Sequence, residues 1–154
     1  MSFDTRRGTR GTRQPKANWF FTTVNGWAMK RIRTKGGRVM GMDALVLHTI
    51  GAKTGNRRSN PVAWFPGPEG SWLIVASAAG AAGNPAWYHN LAAHPDQVEI
   101  HVGDAAVPVT AQQLHGPARE QAWSQISTSS PRFAGYQDKT DRRLPIIRLT
   151  PESS

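Results

Sequence analysis

Apolar side chains recur along this chain at two different periods, and the change from one to the other divides it. From Lys16 to Arg33, the positions Phe20, Val24, Trp27 and Arg31 follow at spacings of four, three and four, with Trp19, Ala28 and Ile32 on the flank. The spacing predicts an amphipathic helix that Gly36-Gly37 stops. Beyond it come short runs bounded by turn residues. Strands are predicted over Ala44 to Ile50, Asn60 to Phe65, Ser71 to Ser77, Gln97 to Val102, Ala106 to Gln112 and Ile146 to Leu149. A glycine-bounded hairpin, Gly51 to Arg58, joins the first two, and Gly103-Asp104 joins the fourth and fifth. Pro85 opens a short helix over Ala86 to Ala93 that Pro95 ends, and Gly116 to Ile126 reads as another.

Strands that outnumber helices and follow one another predict an α+β fold, a small and mostly antiparallel barrel with helical additions, rather than a βαβ sheet. Residues 1–15 are polar, glycine-bearing and nearly free of apolar side chains, so they read as a disordered basic arm. The chain thus divides into the arm over 1–15, a basic amphipathic helix over 16–38 and a barrel domain over 39–154. At 154 residues there is room for one such core.

Charge sharpens this division. Residues 1–38 carry ten Lys/Arg against the single Asp4, whereas residues 39–154 carry nine basic and nine acidic side chains. The excess suits a nucleic-acid tail, a contact with anionic lipid or a dock for a polyanionic ligand. There is no cysteine, which excludes disulfides, thiolate metal sites and cysteine nucleophiles and suits a reducing cytoplasm. No apolar run approaches the 18 or so residues needed to cross a bilayer, and the N-terminus is too polar for a secretory signal.

Two segments carry candidate chemistry. In Gly51-Ala52-Lys53-Thr54-Gly55-Asn56-Arg57-Arg58 two glycines frame a lysine ahead of two arginines. A nucleotide-binding phosphate loop would need glycines where Leu47 and Ala52 stand, so this is not one. Exposed glycine N–H groups beside Lys53 and Arg58 make it either a cradle for phosphate or carboxylate or a solvated hairpin tip. In Asn84-Pro85-Ala86-Trp87-Tyr88-His89-Asn90-Leu91, two aromatics, an imidazole and an amide occupy four successive helical positions. They cannot all face a core, so some line a pocket, with Trp87 or Tyr88 against a planar ligand and Asn90 hydrogen-bonding to it. The alternative is a helix simply packed on the barrel. His48, His101 and His115 lie in no local ligand motif, so no metal site is expected, and no G-x-S-x-G elbow is present. Asp138 and Asp141 read as part of a solvated, ion-paired segment.

Together these segments resemble the deazaflavin-dependent nitroreductase family, actinobacterial enzymes that use coenzyme F420 on a split β-barrel. The resemblance runs from about Leu45 to Pro151. Its strongest pieces are Thr49 to Arg58, Val75-Ala76-Ser77, Asn84 to Leu91, Ala93-His94-Pro95-Asp96 and Tyr136 to Arg142 with the Leu-Pro-Ile-Ile that follows. It implies that Lys53 and Arg58 hold the cofactor phosphate, with Ala52, Thr54, Ser59, Asn60 and Pro61 contributing backbone and polar contacts. Val75, Ala76 and Ser77 would lie against the deazaflavin, and Ala86, Trp87, Tyr88, His89 and Asn90 would close the other side. Ser77 and Tyr136 are the candidate catalytic groups, the first hydrogen-bonding at the reacting face and the second delivering a proton.

Many relatives place lysine where this chain has Ala78, and quinone- and nitroimidazole-reducing relatives place tyrosines where it has Ser130 and Phe133. The expected reaction is hydride transfer from reduced coenzyme F420 to a quinone, enone or unsaturated lactone, with nitroimidazoles handled poorly. Rival readings are an FMN-binding split barrel and, with less support, a nucleic-acid module using the basic arm. A further expectation is peripheral attachment of residues 16–38 to the inner face of the cell membrane.

Overall fold

The short apolar runs become the strands of one sheet in which every pairing is antiparallel. The structure, a computed structural model, describes residues 3–11, 38–39 and 42–152. In chain order the strands are β1 (Arg38–Val39), β2 (Met42–Ile50), β3 (Arg57–Ala63), β4 (Phe65–Pro66), β5 (Trp72–Val75), β6 (Val98–Val102), β7 (Ala105–Gln113) and β8 (Ile146–Pro151). The helices are α1 (Ala86–Ala93), α2 (Gly116–Ser129) and α3 (Pro131–Asp138).

The sheet runs β1-β2-β6-β7-β8-β5-β4, and β3 pairs with β2 off this path. Trp64 alone separates β3 from β4, and its N–H donates to the Asp43 carbonyl at 3.0 Å. The segment beside β2 therefore bends and continues beside β5. One piece of chain, β3 and β4, thus pairs with β2 near one end of the path and with β5 near the other, so the sheet curls into a barrel and alternate residues of each strand point inward.

Leu45, Leu47, Ile100, Val109, Ile147 and Leu149 fill the interior, and α1 plugs it with Trp87, Tyr88 and Leu91. A second cluster lies outside, where Leu73, Val75 and Ile146 meet Ala122 and Ile126 of α2 and Phe133 of α3. Since Ile74 faces the interior while Leu73 and Val75 face the helices, β5 is covered on both faces. This is why its sequence is an unbroken apolar run instead of an alternation.

The predicted bounds of α1 match those observed. The helix α3 was not anticipated, because its eight residues bury only Phe133 and so show little periodicity. Arg38, expected to end a helix, lies instead in β1, opposite Asp43 of β2; the rest of the helix expected over 16–38 lies outside the described residues.

The disordered arm expected over 1–15 is corrected where it is described. Residues 3–11 lie along the body: Thr5 N–H donates to the Tyr88 hydroxyl at 3.0 Å, Gly8 N–H to the Ala82 carbonyl at 2.7 Å, and Arg10 N–H to the Asp141 carboxylate at 2.9 Å. Phe3 packs edge-on against Tyr88. Counting apolar residues missed this because the segment is held chiefly by polar partners distant in sequence.

Candidate active site

The hairpin between β2 and β3 closes its own backbone before it can hold anything else. Gly51 N–H donates to the Asn56 carbonyl at 2.8 Å and Gly55 N–H to the Gly51 carbonyl at 2.9 Å, with Gly55 in the left-handed region at φ 72°. Ala52 N–H goes to the Asn90 side-chain oxygen at 3.0 Å, while the Asn90 amide donates to Thr49 Oγ1 at 3.1 Å. The expected cradle of free glycine N–H groups is thus corrected: those donors and that of Ala52 are committed within the fold. Asn90, 8% exposed, braces the hairpin against α1.

This brace opens a cleft of about 680 Å³ between hairpin and helix. Ala52, Lys53, Thr54, Arg58, Ser59 and Asn60 line one wall, and Ala86, His89 and Asn90 the other. Arg57 lines it too, although it was not among the expected site residues. Arg57 is paired with Glu99 at 3.2 Å, whereas neither Lys53 nor Arg58 has a carboxylate partner among the described residues. Unneutralised cations beside a large cleft favour an anionic occupant. The donor set fits a phosphate and an acidic tail.

Pro61 sits on β3 beyond the cleft lining, opposite Val46. Trp87 and Tyr88 do not face the cleft. They are 8% and 2% exposed and belong to the barrel interior, with the Tyr88 hydroxyl donating to Gln113 Oε1 at 2.6 Å. The expectation that either packs on a planar ligand is corrected, because helical geometry turns both inward while leaving Ala86 and His89 exposed. Burial also raises the Tyr88 pKa.

Val75 and Ala76 are buried at the end of β5, in different clusters, and Ser77 follows half-buried. None of the three lies on the cleft wall. The turn Ala78–Gly80 that starts after Ser77 packs on α3. A Cβ at Gly80, whose φ is 82°, would stand 2.7 Å from the Tyr136 carbonyl oxygen. Ser77 and Tyr136 therefore flank one turn. Tyr136 is half-buried with Lys139 Nζ 5.8 Å from its ring centre, while Phe133 packs edge-on against Phe65 in the outer core.

Sequence reasoning missed Arg142, which organises this loop. It is 2% exposed, and its guanidinium donates to the carbonyls of Ala76 at 2.8 Å, Ser77 at 2.8 Å and Ala81 at 3.1 Å and to Asn84 Oδ1 at 2.6 Å. Burial lowers its pKa. The expected solvated, ion-paired segment over 138–143 is thus corrected at this residue. Asp141 remains exposed and takes its hydrogen bonds from Thr9 and Arg10, which hold its pKa below the ordinary range. Only the density of polar residues around Tyr136 to Arg143 hinted at such a network.

Sequence reasoning also found no ligand cluster among the histidines, yet pairing of β2 with β6 assembles His48, Glu99 and His101. No local motif could have shown it.

A curled antiparallel barrel with a cationic cleft at its first hairpin defines a class of cofactor-binding split barrels, and comparison with known proteins makes the class specific. The sequence profile of the F420H(2)-dependent quinone reductase family matches residues 20–151. An F420H(2)-dependent quinone reductase of Mycobacterium tuberculosis is 40% identical over 110 residues, covering 70% of this chain and 72% of that protein. The solved structure of an F420-H2 dependent reductase, FDR-A, superposes with a TM-score of 0.62 at 36% identity, covering 69% of this chain and 92% of that one. A second solved structure, a domain-swapped dimer, gives 0.64 at 32% identity and covers 85% and 96% respectively. The chain belongs to the F420H(2)-dependent quinone reductase family. It is an oxidoreductase of the split-barrel fold that uses reduced coenzyme F420 and a small-molecule acceptor.

Proposed function

We propose that the cleft between the β2–β3 hairpin and α1 holds the phosphate and acidic tail of coenzyme F420, and that the protein passes electrons to a quinone. The observation that carries this reading is the pair Lys53 and Arg58, facing a cleft of about 680 Å³ with no carboxylate partner among the described residues. Arg58 presents a fork that matches two phosphate oxygens, and Lys53 adds a mobile point charge. Thr54, Ser59 and Asn60 supply neutral donors along the same wall. When bound, the reduced cofactor supplies the hydride.

The remaining duties fall to the chain. Arg142 fixes the backbone on either side of Ser77, so the Ser77 hydroxyl is carried on a braced loop and is free to hydrogen-bond near the reacting face. Tyr136, whose backbone packs on the same turn, is the proposed source of the compensating proton. Serine and phenylalanine stand at Ser130 and Phe133, so this chain has no phenolic donor at either position. A bicyclic nitroimidazole should turn over more slowly than menadione.

The test is equilibrium titration of the full chain with coenzyme F420. Lys53→Ala and Arg58→Ala should each weaken binding by about 1.5–3 kcal/mol, the range for hydrogen bonds to charged groups, which is roughly ten- to hundredfold in Kd. If both variants bind like the parent, the phosphate does not sit at this hairpin.

The protein is further proposed to act in the cytoplasm, with residues 16–38 touching the anionic inner face of the membrane, where quinones dissolve. Trp19, Phe20 and Trp27 alternating with a basic flank support this. Among the described residues no helix is long and apolar enough to cross a membrane. Co-sedimentation with anionic vesicles at low salt tests the contact. Absence of binding there removes it.

A further inference from the structure

His48, Glu99 and His101 lie on the outer face of the sheet, opposite the interior residues Leu47 and Ile100. His48 pairs across the strands with Glu99, and Val46 pairs with His101, so the register makes the three side chains neighbours. One ligand atom from each falls within 4.8 Å of the other two. We infer that these three residues form a binding site for a divalent transition-metal ion.

His48 Nε2 and His101 Nδ1 share a hydrogen bond at 2.7 Å, so one ring holds the proton between them. An ion enters by displacing that proton, after which His48 offers Nε2 and His101 offers Nδ1 from neutral rings. Two imidazoles and one carboxylate are ligands that Ni²⁺, Cu²⁺ and Zn²⁺ all accept.

The supporting contacts are those a metal site needs. Ser59 Oγ lies 2.7 Å from His48 Nδ1, where it can accept the Nδ1 proton once His48 binds an ion through Nε2, holding the ring in place. Arg57 holds Glu99 Oε1 at 3.2 Å and leaves Oε2 for the ion. Next to the site is a cavity of about 280 Å³ lined by His48, where Glu99, Asp96 and Glu152 outnumber the one cation Arg57, so its net charge favours a cation. Arg57 and Ser59 also line the cofactor cleft, so the two sites share a wall. The inference stands whether or not that cleft holds coenzyme F420.

The experiment is calorimetric titration of the full chain, without a polyhistidine tag and freed of metal, with Ni²⁺, Cu²⁺ and Zn²⁺ separately. One Ni²⁺ per chain should bind, and it should raise the thermal unfolding midpoint by stabilising only the folded state. His101→Asn and Glu99→Gln should each weaken Ni²⁺ at least about tenfold, and Ser59→Ala should weaken it by about ten- to hundredfold, the range for outer partners of metal ligands. His94→Asn should bind like the parent. Both Glu99 and His101 are half-buried, so their variants leave the core intact, and their metal-free unfolding midpoints verify it. No saturable Ni²⁺ binding, or parent-like affinity in both ligand variants, overturns the site.

Discussion

Arg142 concentrates more structure in one side chain than any other residue of the candidate site. Its guanidinium answers three carbonyls and one side-chain amide oxygen in a buried loop, and removing it orphans acceptors that water reaches poorly. Each orphan costs about 1–3 kcal/mol, so Arg142→Met should lose at least about 3 kcal/mol of stability. A urea titration should show a lower midpoint, with the slope unchanged if the folded state is otherwise intact. Lysine, with one compact ammonium, should recover only part of the loss. Asn90 plays a smaller version of this role. Asn90→Ala should weaken coenzyme F420 by about tenfold by loosening the hairpin through two lost bonds, each worth roughly 0.5–1.5 kcal/mol. An unchanged Kd would mean that the hairpin is held without it.

Among elements, residues 3–11 behave as a strap across the loop that Arg142 braces. Phe3 covers Tyr88, Thr5 meets Tyr88, Asn84 and Gln113, and Asp141 takes the N–H groups of Thr9 and Arg10. Deleting residues 1–11 should lower stability by about 1–2 kcal/mol, since part of what Phe3 and these bonds contribute is offset by the entropy of ordering them. A deletion variant as stable as the parent would show that the strap contributes nothing. Its far end should respond to pH. The Asp141 pKa is depressed in the folded chain, so its contribution is present above the ordinary aspartate value of about 3.9 and is lost as pH falls below that value through the folded pKa. Proteolysis within residues 3–11 should accelerate in that acid window and not between pH 5 and 8. The helix α3 is the element the sequence pattern showed least, because one buried residue in eight makes no stripe. Its first residue, Pro131, is a start signal only once the chain is known to turn there.

On the scale of the molecule, charge is divided along the sequence. Ten basic residues precede Val39, whereas the nine basic and nine acidic side chains that follow balance, so in the body positive charge is concentrated in local features such as the cleft. An anionic cofactor entering between Lys53, Arg57 and Arg58 should therefore bind more weakly as salt rises. Going from low to high ionic strength, where the Debye length shrinks from about 30 Å to 3 Å, should raise its Kd by roughly tenfold or more. A Kd insensitive to salt would place the anionic end of the cofactor elsewhere.

What the sequence determined by itself is what depends on near neighbours. Short apolar runs, glycine and proline punctuation and the Gly51–Arg58 and Asn84–Leu91 segments were enough for six of the eight strands, the short helix α1, the antiparallel barrel and the family; β1 lay in the expected helix, and β4 was not separated from β3. Lys53, Thr54, Arg58, Ser59, Asn60, Ala86, His89 and Asn90 indeed meet around one cleft, because the hairpin and α1 each carry their share locally. Tertiary structure decided what depends on residues far apart. It turned Trp87 and Tyr88 inward, since only the position of the barrel tells a helix which face is buried. It joined Arg142 to Ala76 and Ser77 across more than sixty positions, and laid residues 3–11 on partners up to 132 positions away. It set His48 beside Glu99 and His101, because strand register, which no local spacing records, chooses the residues that stand side by side on a sheet.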